Sequence, residues 1–247
     1  MIAVRGLAKS FGALRAVSDL DFEVRQGQVT SIIGPNGAGK STVFNLIAGT
    51  IRPDAGRVEL DGRDVTALAP HAIAQLGLAR SFQISNLFFG LTALENVRLA
   101  CQARAPRTRF LARIDRDRAL ADRARAILAE FGIADLADEP AANLSHGDQR
   151  RLEIAVCMAS QPRVLLLDEP TQGMSPAETL AVDALIKSLA GRVSVLMIEH
   201  DVDLVMNISD HVIVLHQGQK LFEGPPAQVR NSSAVRAAYL GAHDGAD

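Results

Sequence analysis

Residues 34–42 read Gly-Pro-Asn-Gly-Ala-Gly-Lys-Ser-Thr, and no other stretch limits the fold of this chain so tightly. Ahead of it, "VTSIIG" (29–34) is a short apolar, β-branched run ending in glycine, the pattern of a buried strand. Behind Lys40, "STVFNLIAG" has the character of a helix closed by Gly49. The segment is therefore a strand–loop–helix junction. Glycines let the backbone curl until successive N–H groups converge on one anion. The helix that follows adds its positive N-terminal end. The spacing Gly34-x4-Gly39-Lys40-Ser41 is that of a phosphate cradle, with Lys40 reaching the β- and γ-phosphates and Ser41 ligating Mg²⁺. Pro35, Asn36, Gly37, Ala38 and Thr42 complete the loop and belong with it as nucleotide-contacting positions. A glycine-rich turn that merely precedes a lysine is the plainer alternative, but the flanking strand and helix are both present. A dinucleotide-binding turn would not call for the Lys-Ser pair.

Cradling a triphosphate is not hydrolysing it; that takes a second metal anchor and a group to position water. "VLLLDEP" supplies two carboxylates at the end of a buried strand. Alternation along a strand would send neighbouring side chains to opposite faces. Asp168 is thus assigned to the Mg²⁺ shell and Glu169 to general-base duty. An acidic pair capping the next turn is the competing reading, and the cradle tips the balance toward chemistry.

The other strands expected are 163–168, 193–198 and 211–216. Between the first two, 176–190 has helical spacing, with Leu180, Ala184, Leu185 and Leu189 on one face. Strands alternating with helices imply a mainly parallel sheet covered on both sides. The early segments "IAVRGLAKSF" and "DFEVRQGQ" alternate apolar and polar and suit an antiparallel subsheet. Residues 88–158 are rich in Ala, Leu and Arg and read as an inserted helical lobe. In its arginine-heavy part, Asp115, Asp117 and Asp122 offset a solvated basic face.

The 247 residues carry a formal net charge of −2, one Tyr and no Trp, so neither a global field nor an aromatic platform recruits nucleic acid. Cys101 and Cys157, the two cysteines, are too far apart to suggest a zinc site or a disulfide framework, which implies a reducing compartment. The N-terminus lacks a signal-peptide core, and no apolar run reaches the ~20 residues that span a bilayer.

In combination these features resemble the ATP-binding subunits of ABC transporters. "LSHGDQRRLEIA" (144–155) is similar to the family's signature stretch. Gln83 in "RSFQISNLF" matches its glutamine loop, His200 in "MIEHD" its switch histidine, and Phe11 in "KSFGALRAV" its adenine-stacking aromatic. The resemblance covers nearly the whole chain. It implies an α/β fold: a P-loop NTPase (RecA-like) core with an antiparallel β subdomain and an inserted α-helical subdomain. The expected divisions are 1–87 (core, first part), 88–158 (helical subdomain with the signature), 159–225 (core, second part) and 226–247 (tail).

The resemblance further implies a head-to-tail dimer, either of two copies or with a sibling ATPase. ATP and Mg²⁺ would lie between the cradle of one subunit and Ser145 and Gly147 of the other. Gln83 would join Ser41 and Asp168 at the metal, and His200 would hydrogen-bond the γ-phosphate and the water. Three departures stand out: His146-Gly147 replaces a glycine pair, Asp148-Gln149 replaces Gln-Gln, and Ser175 replaces an aspartate of the inter-subunit loop. Ser145 is also a natural N-cap with Asp148 at the third helical position.

A narrower resemblance, carried by 80–97, 149–155, 198–219 and the terminal "AVRAAYLG", is to the ATPases of branched-chain amino-acid importers. Urea and amide importers and the lipopolysaccharide-export ATPase share much of it. That kinship implies a peripheral protein on the cytoplasmic side of the inner membrane. Its partners would be multi-span permease subunits and, indirectly, a periplasmic or extracellular solute-binding protein, with no nucleic acid. Leu87, Phe88 and Phe89 form an apolar cluster expected to receive the permease. A soluble ABC ATPase acting on nucleic acid or ribosomes would usually bring tandem cassettes or basic insertions, which this chain lacks. A non-hydrolysing regulatory module fits poorly with intact Lys40, Asp168 and Glu169.

Overall fold

The computed structural model describes residues 1–81, 87–102 and 118–240. In chain order the strands are β1 (Ile2–Phe11), β2 (Leu14–Val24), β3 (Val29–Ile33), β4 (Ala55–Leu60), β5 (Arg63–Asp64), β6 (Leu78–Arg80), β7 (Val164–Asp168), β8 (Ser194–Ile198), β9 (His211–His216) and β10 (Gln219–Gly224). The helices are α1 (Lys40–Ile47), α2 (Pro70–Gln75), α3 (Ala93–Gln102), α4 (Arg118–Glu130), α5 (His146–Ala159), α6 (Pro176–Leu189), α7 (Val202–Ile208), α8 (Pro226–Asn231) and α9 (Ser233–Leu240). They divide into two compact units. The first comprises 1–80, 163–170 and 186–247, and the second 81–162 and 171–185. The second unit thus takes in 171–185, which the sequence reading leaves in the core.

The first unit holds two sheets. One is antiparallel, in the order β2-β1-β4-β5, with Ile2 opposite Val24 across β1 and β2. The other has the order β10-β9-β3-β8-β7-β6 and is parallel except for the edge hairpin β9-β10. Its central strands β3, β7 and β8 are buried at every position, as a parallel sheet covered on both faces requires. Alternate residues of these strands (Ile32, Leu166, Leu196, Ile198) share one apolar core with Val43, Phe44 and Ile47 of α1 and with Ile2, Val4, Leu20 and Phe22 of the antiparallel sheet. Each such burial contributes about 1.5–3 kcal/mol. The junction read from 29–49 is therefore anchored at both ends: β3 sits mid-sheet, and α1 is pinned by Phe44, which is fully buried.

In the second unit α3, α4 and α5 pack on one another, and Val97, Cys101, Ala124, Leu128, Leu152 and Ala155 are buried on them. A Thr92–Glu95 capping box starts α3: the Glu95 carboxylate accepts from Thr92 N–H at 2.9 Å, and Glu95 N–H donates to Thr92 Oγ1 at 3.2 Å. Buried Asn96 holds the preceding loop by accepting from Phe88 N–H at 2.8 Å and donating to the carbonyls of Phe88 and Thr92.

Two sequence expectations need correction. The buried face of α6 is Val182, Ile186 and Leu189, while Leu180 is 71 % exposed and Ala184 is exposed too. The spacing Leu180-Ala184-Leu185 is helical, but apolar periodicity does not say which of two neighbouring stripes finds a partner. The cluster 87–89 also divides: Leu87 is buried, whereas Phe88 and Phe89 are 60 % and 42 % exposed. Leu87 belongs to the core and not to a docking surface. Asp115 and Asp117, expected to offset the basic helical face, lie outside the described residues; Asp122 lies within α4.

Candidate nucleotide site

The cradle begins where β3 runs out. Gly34 has φ +154°, and a Cβ there would lie 2.2 Å from the Leu215 carbonyl oxygen on the adjacent strand, so only glycine lets the chain turn at this point. At the far end Gly39, with φ +97°, opens α1; a Cβ on it would meet the Ala16 carbonyl at 2.4 Å. Between them the loop is tied by Ala38 N–H donating to Pro35 O at 3.2 Å. Asn36 and Gly37 are exposed at its crest, and Ser41 is exposed on the first turn of α1. Lys40 is buried and folds back over the loop. Its Nζ donates to Gly34 O at 2.7 Å and Pro35 O at 3.0 Å. Burial lowers its pKa from the ordinary 10.5, and the negative charge of Glu169 works the other way. The lysine is thus stored on carbonyls that a phosphate would replace.

Asp168 and Glu169 emerge beside this loop because β7 lies one strand away from β3, across β8. Asp168 ends β7, is buried, and accepts from the Arg80 guanidinium at 3.0 Å. Arg80 in turn donates to Asn45 Oδ1 on α1 at 2.7 Å and lies 5.9 Å from the Phe44 ring. Strand alternation is not what separates the two carboxylates. Glu169 has left the strand, with φ +47° in the left-handed region. The turn, fixed by Glu169 N–H donating to Ile198 O at 3.0 Å, is what aims the two side chains apart. Glu169 is buried, and its Oε1 meets Nε2 of His200, whose side chain is 47 % exposed. His200 N–H donates to Glu199 Oε2 at 3.1 Å.

A cleft of about 530 Å³ gathers these groups. Its lining includes Phe11, residues 36–42, Glu169 and His200. Of these, Phe11 is 49 % exposed, with Lys9 Nζ 5.7 Å from the ring centroid. Arg15, Ala16 and Gln217 also line the cleft, and Arg80, Asn45 and Glu199 support it from behind. The sequence reading missed all six. An Arg or Asn outside a motif carries no local signal, and their roles arise from strand order. Gln83 lies outside the described residues. The donor set suits Mg²⁺, which takes a few hard oxygen ligands and completes its shell with water and phosphate; the Ser41 hydroxyl and the Asp168 carboxylate are of that kind.

In the second unit, Ser145 is the N-cap of α5. Its Oγ accepts from Asp148 N–H at 3.1 Å and donates to Asp148 Oδ2 at 2.7 Å. Gly147, in the same first turn, donates its N–H to Glu178 Oε1 at 3.2 Å. The sequence marks Glu178 only as the fourth residue of a Ser-x-x-Glu capping pattern, which says nothing of Gly147.

Known proteins agree with this geometry. The family model described as "ABC transporter" matches residues 17–172, and one described as "Branched-chain amino acid ATP-binding cassette transporter" matches 219–245. The high-affinity branched-chain amino acid transport ATP-binding protein BraF of Pseudomonas aeruginosa is 44 % identical over 250 residues, covering 98 % of both chains. LivG of Salmonella typhimurium, named for the same transport, is 42 % identical over 250 residues with the same coverage. The crystal structure of the ADP conformation of MJ1267, an ATP-binding cassette of an ABC transporter, superposes with a TM-score of 0.86 at 30 % identity and 98 % coverage of each chain. With a nucleotide cradle, a carboxylate–histidine pair at its mouth and this likeness along its length, the chain belongs to the ABC transporter family as one of its ATP-binding cassettes, an ATPase on the P-loop NTPase fold.

Proposed function

We propose that this cassette powers the import of branched-chain amino acids, hydrolysing ATP at an interface between two cassettes docked on separate membrane subunits. The observation that carries the ATPase chemistry is the meeting of Glu169 and His200 in the cleft that also holds Lys40. Lys40 leaves the Gly34 and Pro35 carbonyls for the β- and γ-phosphates, while the amides of 36–42 hold their oxygens. Phe11 stacks on the base. Ser41 and Asp168, joined by Gln83, would hold Mg²⁺, which when bound would neutralise phosphate charge. Glu169 takes the proton of the attacking water, and His200 keeps the carboxylate oriented and bonds the γ-phosphate. Ser145 and Gly147 of the opposing cassette close the site, so that hydrolysis undoes the contact between the two.

The substrate rests on kinship: the identity to BraF and LivG, and the family model over 219–245. Among the described residues no helix is long and apolar enough to cross a membrane, in keeping with a peripheral subunit whose permeases are other chains.

Glu169→Gln tests the chemistry. With ATP and Mg²⁺ the variant elutes as a dimer in gel filtration and turns over slowly; turnover at the parental rate removes Glu169 as the base. Affinity purification from membranes, followed by identification of the bound permeases and of the solute that stimulates the complex, tests the substrate.

A further inference from the structure

The loop before α6 and the first turn of α5 share one side chain. Ser175 and Glu178 form a capping box at the start of α6: Glu178 Oε2 accepts from Ser175 N–H at 2.9 Å and from Ser175 Oγ at 2.7 Å, and Glu178 N–H points back to Ser175 Oγ at 3.4 Å. The other carboxylate oxygen, Oε1, accepts from Gly147 N–H at 3.2 Å. The fit is close. A Cβ on Gly147 would lie 2.8 Å from that oxygen and 2.9 Å from Glu178 Cγ. The Ser175 bonds first, then the Gly147 amide and the charge of His146, hold the carboxyl below the usual range, so the group is an anion at physiological pH.

Resting on the function proposed above, we infer that Glu178 is a positioning residue that occupies the Gly147 N–H until the partner's nucleotide arrives and must release it for the two cassettes to close. The carboxylate oxygen stands where a phosphate oxygen would bind: both are anionic acceptors drawn to an amide at a helix N-terminus. Two anions cannot share that N–H without like-charge repulsion. The same carboxylate caps α6 through its other oxygen, so one side chain ties the first turn of α5 to the loop that bears Ser175. An uncharged serine stands here where the family carries aspartate, and the charge bridging loop and signature comes from Glu178.

The test uses full-length chain carrying Glu169→Gln, titrated with ATP and Mg²⁺ and followed by light scattering. Glu178→Gln keeps the side-chain length and suits a capping box, yet removes the charge. It lowers the ATP concentration at half-dimerisation by about two- to tenfold, the span of one net hydrogen bond. Glu178→Ala shifts the midpoint the same way, although it also weakens the cap and lowers the melting temperature without ATP. A carboxylate that only braces the turn gives the opposite sign: both variants then need more ATP. An unchanged or raised midpoint in Glu178→Gln overturns the inference while leaving the ATPase reading intact. If the Glu169→Gln chain alone never dimerises with ATP, that reading falls and this one with it.

Discussion

The pair most exposed to test is Arg80–Asp168. Its partners are 10 % and 4 % exposed, so water screens them little, and the guanidinium also holds Asn45 and lies against Phe44. Arg80→Met keeps an apolar stem beside the ring and removes the charge. It leaves the Asp168 carboxylate buried without this cation, a loss that typically costs about 3–5 kcal/mol. In a chain of this size each kcal/mol moves the melting temperature by about 2–4 °C, so a fall of roughly 6–20 °C is expected without nucleotide. Adding Asp168→Asn removes the charge that faced Arg80, and the double variant recovers about 1–3 kcal/mol of the loss, the coupling expected of residues in contact. Differential scanning calorimetry of the four proteins, nucleotide-free and with chelator, reads the cycle. If Arg80→Met melts within about 2 °C of the parent, or the two substitutions simply add, the pair does not hold the end of β7 and the account is wrong.

Lys40→Met abolishes retention of ATP in equilibrium dialysis but does not lower the melting temperature, because it removes a buried ammonium. The parent, whose lysine has a lowered pKa, loses this penalty and gains stability as pH rises from that pKa toward 10.5; a melting series shows the rise in the parent and not in Lys40→Met. Phe88→Ala and Phe89→Ala change stability by less than about 0.5 kcal/mol, as exposed side chains should, and yet reduce transport by the assembled complex. Transport and ATPase at parental levels in both variants would show that this exposed pair is not where the permease docks. Burial raises the Cys101 thiol, and that of Cys157, half-buried by surface area, is pushed up to about 12, so at pH 8 both react with a thiol reagent far more slowly than in the unfolded chain; labelling of the native protein at the unfolded rate would contradict this.

Much of the fold was legible because its signals are local. β-branched runs marked β3, β7, β8 and β9 to within a residue, and glycine spacing marked the cradle. The steric reason for Gly34 and Gly39 appears only with Leu215 and Ala16 beside them. The capping role of Ser145 was likewise readable, since it depends on three neighbouring positions. The face of α6 was not, because a helix with two apolar stripes leaves the choice to whatever packs against it.

The sequence by itself determined that a strand, a glycine-rich turn and a helix would present amides, a lysine and a hydroxyl to an anion, since chemistry confined to nine consecutive residues needs no distant partner. Only the tertiary structure decided which groups share that anion's surroundings. β7 and β8 pair in a register that sets Asp168 beside Ile198, and so Glu169 and His200, one and two residues beyond, meet. Arg80 reaches Asp168 because β6 is the strand next to β7. Glu178 reaches Gly147 across 31 residues of chain. Strand order and register are settled by burial over the whole sheet, and no local pattern of residues records them.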